Sequence, residues 1–409
     1  MRILVLSSVF PNASQPTLGV FVGARVERMA RHAEVAVVAP VAWFPFNRLL
    51  RGRARSEVPA LERQGTLSVH HPRFLSVPGI LKCLDGLLYF LSIVLYVRRL
   101  RRSFEFDIID AHFTYPDGMA ACLLAKVFRC PVSVTLRGTL VPLSRYRLRR
   151  PQLAWTLRRA DRILSVSDSL RDLAMQLGAP VERIRVIPNG VDTATFGAIS
   201  RAGAREALGL PPARPILISV GTLTLRKGQQ RVLAVLPEVL RHCPDLLYVV
   251  VGGASSEGDT GPLLRRTIDD LGLADHVRLA GPQPPEEVAR WLAASDVFCL
   301  ATSNEGRPNA VIEALACGVP VVTTRVGGNA ELIEEGRNGF LVPLEDAAAL
   351  SGALVRAFRA GWDHTAIAAP WKARSWDRTA AAVLHEFASV GAEIVDGSGA
   401  PVPRGQSRR

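Results

Sequence analysis

Ser303–Pro320 reads SNEGRPNAVIEALACGVP, and it follows the apolar run Val297–Leu300. Four consecutive apolar residues closed by a turn signal read as a buried strand. Pro308 suits a first helical turn, where its missing N–H is not needed. Ala310, Val311, Ala314 and Leu315 carry the helical pattern on, and Gly318 with Pro320 ends it. The stretch is therefore a strand, a turn and a helix whose N-terminus sits at the strand's carboxyl end. Free backbone N–H groups and the helix dipole make such an end a site for anions.

The same alternation runs outward in both directions. Toward the N-terminus, Ile3–Leu6 and Val35–Ala39 look like buried strands, with Val22, Val26, Met29 and Ala30 on one face of a helix between them. Ile108–His112, Val132–Leu136, Ile163–Val166 and Ile184–Ile187 extend this first series. A second series comprises Ile216–Val220, Leu247–Val251, Val277–Ala280, Val297–Leu300, Val319–Thr323 and Phe340–Val342. Strands alternating with helices imply parallel sheets covered on both faces. The expected fold is α/β, two doubly wound domains facing a central cleft. Residues 196–215, rich in Gly, Ala and Pro, read as the linker. In such sheets ligands bind outside the carboxyl ends of the strands.

The chain has 409 residues, enough for two or three domains. Its 48% hydrophobic and 21% charged content excludes a disordered or low-complexity chain. The net charge of +13 is unevenly placed. Residues 1–195 hold 28 basic and 14 acidic side chains, and the remainder holds 22 and 23. An anionic partner is expected for the first half: a membrane surface, a phosphorylated acceptor or nucleic acid. No aromatic-basic stacking module supports nucleic acid. The six cysteines form no C-x-x-C pair, which fits a reduced, cytoplasmic chain. Leu87–Val97 is the longest apolar stretch, far short of the roughly 20 residues a membrane span needs. No G-x-G-x-x-G is present, GTLTLRKG (221–228) lacks the second glycine of a P-loop, and no Asp-x-Asp pair offers to hold a cation.

Glu305 and Glu313 frame the turn and helix of Ser303–Pro320. A phosphate would repel a carboxylate beside an anion site, so the two make sense as acceptors of hydrogen bonds from sugar or ribose hydroxyls. The alternative is a capping glutamate plus an exposed one.

The wording EGRPNAVIEALACGVPVV, with its E-x7-E spacing, resembles the retaining glycosyltransferases of family 4, which have the GT-B fold. Further matches run in family order: FPNASQPTLGVFV near the start, DAHFTYPDG (110–118), ADRILSVS (160–167), IPNGVD (187–192), VGTLTLRKG (220–228), VGG (251–253) and VGGNAELI (326–333). Both ends look most like bacterial cell-surface polysaccharide members. The resemblance implies transfer of a sugar from a nucleoside diphosphate sugar to a glycan or lipid-linked acceptor, with no cofactor and no metal. It implies an acceptor domain over 1–195, a nucleotide-sugar domain over 216–370, a helix over 371–390 returning to the first domain, and a tail over 391–409.

Site residues carry over position by position. Glu313 would bond the ribose hydroxyls and Glu305 the donor sugar. The backbone from Gly306 through Asn309 to Ala310 would approach sugar and diphosphate. Lys227 matches the phosphate lysine. The family often has arginine where this chain has Thr222, so Thr222 or the neighbouring Arg226 would have to stand in. His112 matches a histidine close to the reacting centre, Gly19 the first-loop glycine, and Arg137 with Gly138 would line the acceptor side. Two other functions stay open: a nucleotide-sugar epimerase or hydrolase of the same fold, and a non-catalytic nucleotide-sugar binder.

The arginines of the first half point to an anionic membrane surface. Arg48, Arg51, Arg53 and Arg55 flank Leu49-Leu50, Arg98, Arg99, Arg101 and Arg102 follow Leu87–Val97, and Arg145, Arg147, Arg149 and Arg150 cluster further on. A handful of basic residues suffices for reversible attachment. The expected location is the inner face of the plasma membrane.

Overall fold

The structure is a computed structural model. It describes residues 1–45, 58–77, 79–197, 199–255 and 257–394. Arg48, Arg51, Arg53, Arg55 and the tail from 395 onward lie outside the described residues. The chain forms two compact units, one of Met1–Asn189 with Trp376–Arg409 and one of Gly190–Ser375.

The first unit is built on an eight-stranded sheet. Its order is Ile184–Val186, Arg162–Ser165, Val132–Leu136, Ile108–His112, Arg2–Leu6, Glu34–Val38, Leu67–His70 and Leu61–Gln64. Every pairing is parallel except the last. Side chains of a strand alternate between faces. Ile3 and Val5 therefore join one core with Val22, Val26, Val383 and Phe387, while Leu4 and Leu6 join another with Tyr89, Ile93 and Val134. Both faces are buried, which is why the strands read as continuous apolar runs.

The helix Trp376–Ile394 belongs to this unit. Ala380, Val383 and Phe387 enter the core beside Val22 and Val26. Asp377 lies 3.2 Å from Arg31, and Glu386 lies 3.1 Å from the buried Arg162.

The second unit has a six-stranded, wholly parallel sheet ordered Val277–Gly281, Leu247–Val251, Ile216–Val220, Val297–Leu300, Val321–Thr324 and Gly339–Val342. Ile216 and Ile218 point into one core and Leu217 into the other. Residues 196–215 differ from the expected linker. They belong to this unit and hold the helix Arg201–Ala207, because Arg205 is buried there and pairs with Asp296 at 2.7 Å while donating to the Ala294 carbonyl. The chain passes between units at Asn189–Gly190 and at Ser375–Trp376.

In each sheet the strand order reverses direction beside one central strand. The reversal falls between Arg2–Leu6 and Ile108–His112 in the first unit and between Ile216–Val220 and Val297–Leu300 in the second. Crevices outside the carboxyl ends of such strand pairs are where doubly wound sheets take ligands.

Candidate active site

In the second unit, residues 221–228 leave the strand Ile216–Val220 and lead into the helix Gln229–Leu240. Gly228 caps that helix with φ 82°, and a Cβ on it would overlap the Ala301 carbonyl. Only glycine allows this left-handed turn and so close a backbone approach. The approach lays the loop against the turn that follows Val297–Leu300. The Ser303 N–H donates to the Arg226 carbonyl at 2.8 Å, closing the two loops together.

Three sequence-expected residues meet there. Lys227 Nζ lies 2.7 Å from Glu305 Oε1, and Arg226 Nη1 lies 3.1 Å from the same oxygen. Glu305 is 9% exposed. Buried carboxylates need such partners, since an unpaired charge away from water is costly. Arg226 also makes a two-pronged bond to Glu257, at 2.8 and 3.2 Å. Thr222 is half-buried in the same loop.

The helix Asn309–Ala316 begins beside Glu305, with Pro308 as its cap residue, which makes no side-chain capping bond. The expected first-turn proline thus stands one place before the helix. Gly306 accepts from the Gly328 N–H at 3.1 Å, which fixes the turn from below. Glu313, on the same helix, is half-buried and its carboxylate has no hydrogen-bond or ion-pair partner among the described residues. Burial pushes its carboxyl up to about 7, against the opposing pull of Lys227. The arrangement gathers two cations, a helix N-terminus and a carboxylate with spare acceptor capacity at the strand ends.

The first unit holds a separate cluster. His112 ends the strand Ile108–His112 and is fully buried. Its Nε2 lies 2.7 Å from Arg25 Nη2 and its Nδ1 3.2 Å from Arg137 Nη2. Arg25 pairs with Asp110 at 2.6 Å, and Arg137 donates to Asn189 Oδ1 at 2.9 Å. Burial, reinforced by Arg25, lowers His112 to about 3. Burial alone would raise Asp110, but Arg25 and His112 outweigh it and hold it at about 2. His112 is therefore a neutral ring fixed between guanidinium groups, and Arg137 and Gly138 directly follow the strand Val132–Leu136. Gly19 caps the helix Val20–Met29 at φ 68°, where a Cβ would overlap the Val9 carbonyl.

Arg25, Asp110 and Glu257 were not among the expected residues. Arg25 carried a legible signal, because it interrupts the otherwise apolar face of Val22, Val26 and Met29. Asp110 likewise sits inside an apolar strand. A charge in either place asks for a buried partner. Glu257 carried no such signal.

The first unit also contains a cavity of about 200 Å3 whose lining includes Ser8, Asn12, His71, Lys82 and Asp85. Ser8 at its edge bonds the buried Asp117 through both its N–H and its hydroxyl, and Tyr89 donates to the same carboxyl at 3.1 Å. Burial raises Asp117 to about 7 against these bonds.

Two Rossmann-like units, each with parallel strands ending in site-bearing loops, define a class, the GT-B-type α/β proteins. The model for glycosyl transferases group 1 matches residues 200–364, and the model for glycosyltransferase family 4 matches residues 26–195. A D-inositol 3-phosphate glycosyltransferase of Xylanimonas cellulosilytica is 30% identical over 305 residues, covering 69% of this chain and 72% of that one. A Bacillus subtilis protein assigned by name to teichuronic acid biosynthesis, the glycosyltransferase TuaC, is 29% identical over 395 residues, 95% of each chain. The sucrose-phosphate synthase of Thermosynechococcus elongatus superposes with a TM-score of 0.79 at 20% identity, over 96% of this chain and 99% of that one. Anabaena HepE, solved with UDP-glucose, superposes with a TM-score of 0.70 at 20% identity, over 95% and 99%. The chain belongs to this family of glycosyltransferases, with its fold.

Proposed function

We propose that the protein transfers a sugar from a nucleoside diphosphate sugar to a hydroxyl of a glycan or lipid-linked acceptor, with retention and without a metal. The observation that carries the reading is the convergence of Lys227 and Arg226 on Glu305 beside the N-terminus of Asn309–Ala316. Positive groups fixed in this way suit the charge that develops on a leaving diphosphate. HepE was solved with UDP and with UDP-glucose, which favours a nucleoside diphosphate sugar as the donor here.

In this reading the diphosphate draws Lys227 and Arg226 away from Glu305, whose oxygens then accept from hydroxyls of the donor sugar. The amides from Gly306 through Asn309 to Ala310 face the diphosphate. Thr222 adds a hydroxyl where the family often has arginine. Glu313 takes the ribose hydroxyls with its spare carboxylate. The anomeric carbon–oxygen bond to the diphosphate breaks as the acceptor oxygen bonds to the same face of that carbon. The acceptor's proton passes to the departing phosphate oxygen. No covalent enzyme intermediate is needed, so positioning and charge stabilisation supply the catalysis.

For the first unit, Gly19 lets its loop approach the diphosphate, and His112 acts as a neutral group that fixes Arg137 on the acceptor side with Gly138. The hydroxyl, amide and imidazole groups of the cavity around Ser8, Asn12 and His71 suit a polyhydroxylated acceptor. A role in cell-surface polysaccharide synthesis, at the inner face of the plasma membrane, follows from the likeness to TuaC and the basic first half.

The test is donor turnover with and without a candidate acceptor, with the product's anomeric configuration read by NMR. Acceptor-dependent release of nucleoside diphosphate with retention supports the reading. Equal sugar release without acceptor assigns a hydrolase instead, and binding without turnover assigns a non-catalytic protein.

A further inference from the structure

The helix Asp85–Leu100 has two unlike faces. Asp85, Gly86, Tyr89, Ile93 and Val97 are buried. On the opposite side Leu84, Leu87, Leu91 and Leu95 recur at helical spacing and are 43%, 44%, 56% and 65% exposed. A surface helix ordinarily places polar residues there. Single exposed leucines are unremarkable, but three along one helix, continued by Leu84 just before it, mark an interaction surface.

Charge frames this line at both ends. Arg98, Arg99 and Arg102 are exposed at its C-terminal end. Arg101 is not part of the frame, because its guanidinium stacks on Phe106 at 4.6 Å and Phe128 at 5.4 Å. At the N-terminal end Gln152 donates to the Cys83 and Leu148 carbonyls, both at 2.9 Å. Those bonds tie the segment Gly79–Leu84 to the turn that carries exposed Tyr146 and Leu148 among exposed Arg145, Arg147 and Arg150. The only carboxylate between residues 79 and 102 is Asp85, which is buried.

We infer that this face docks on an anionic lipid bilayer, with the leucines among the acyl chains and the arginines at the lipid phosphates. Charge selects this occupant. A second copy of the chain would bring the same arginines against these and be repelled, whereas anionic headgroups complement them. No helix among the described residues is long and apolar enough to cross a membrane, so this attachment is peripheral. The cavity lined by Lys82 and Asp85 adjoins the start of the same helix. Docking would thus hold that cavity at the headgroup level, a consequence that rests on the transferase reading above, although the docking itself does not.

The experiment floats the full chain with phosphatidylcholine vesicles and with phosphatidylcholine–phosphatidylglycerol vesicles, at low and high ionic strength. Two variants are compared, Leu91→Gln with Leu95→Gln, and Arg98→Glu with Arg102→Glu. Thermal unfolding checks that each is folded, and UDP titration reads the donor site on the same samples. Binding to the anionic vesicles alone, weakened by salt and lowered at least about tenfold in either variant with UDP affinity unchanged, supports the inference. Equal binding to neutral vesicles overturns it, as does no binding at low ionic strength. So does vesicle binding that both folded variants retain, or a self-association that the leucine variant abolishes in a chain that leaves vesicles alone. Vesicle binding as expected in a chain that takes no nucleotide upholds the docking and sinks the transferase reading.

Discussion

Lys227 Nζ and Glu305 Oε1 stand 2.7 Å apart, although 78 residues of sequence separate them. The lysine leaves the carboxyl end of Ile216–Val220 and the glutamate follows Val297–Leu300, the two strands between which the sheet order reverses. Each offsets the other's charge. In the proposed reading a diphosphate entering here would exchange one anionic partner of the lysine for another, with the cation already in position.

Replacing Lys227 with alanine should therefore weaken UDP binding. Loss of a charge-assisted bond costs about 1.5–3 kcal/mol, which corresponds to roughly ten- to hundredfold. Isothermal titration of UDP checks this, and an unchanged affinity would show that the lysine serves only Glu305.

Arg226 is held by Glu257 as well as by Glu305. Glu257→Gln should release it toward the diphosphate and tighten UDP binding a few-fold, while Arg226→Ala should weaken binding by about tenfold. Identical affinities for the wild type and both variants would make Arg226 a structural strut, and Thr222 the sole stand-in for the arginine this loop lacks.

Glu305→Ala and Glu313→Ala should separate in kinetics. The first should mainly lower kcat, because its sugar contact matters during transfer, and the second should mainly raise KM for the donor through lost ribose binding. Each effect should be about ten- to hundredfold. Wild-type constants in both variants would refute the site.

The raised carboxyl of Glu313 has a consequence for stability. It titrates at about 7 when folded and near 4.5 when unfolded, so the folded chain binds the extra proton between those values. Its contribution is present at low pH and is lost as pH rises through that window. Glu313→Gln removes this loss. The variant should gain roughly 1–3 kcal/mol relative to wild type between about pH 5 and about pH 8 in denaturant unfolding. The titrations of His112 and Asp117 are common to both proteins and cancel in the difference. A pH-independent difference would mean that Glu313 is ionised throughout.

Much of this architecture was legible because buried parallel strands announce themselves. Ile3–Leu6, Val35–Ala39 and Leu247–Val251 are unbroken apolar runs, and the turn before Asn309–Ala316 is marked by Gly306 and Pro308. The edge of the first sheet was not legible. Leu61–Gln64 is short and carries charge, which is how an edge strand resists further pairing and also how it escapes a hydrophobicity pattern. The helix Asp85–Leu100 misled in another way. An apolar stretch such as Leu87–Val97 looks the same whether one face or both are covered, and only packing shows that Leu91 and Leu95 are left outside. The pairing of Lys227 with Glu305 was invisible as a distance, since it depends on Gly228 letting two loops touch. The Arg25–His112–Arg137 contact was equally hidden, because three elements far apart in sequence supply it.

The central claim is that the loops of the second unit hold the diphosphate of a nucleotide sugar with their own cations. The most direct measurement is calorimetric titration of the full chain with UDP, GDP and their sugars in the presence of a chelator, repeated with Lys227→Ala. The account predicts single-site binding of at least one of these that magnesium does not strengthen and that falls at least about tenfold in the variant. Binding that appears only when magnesium is restored, or that Lys227→Ala leaves untouched, would contradict it.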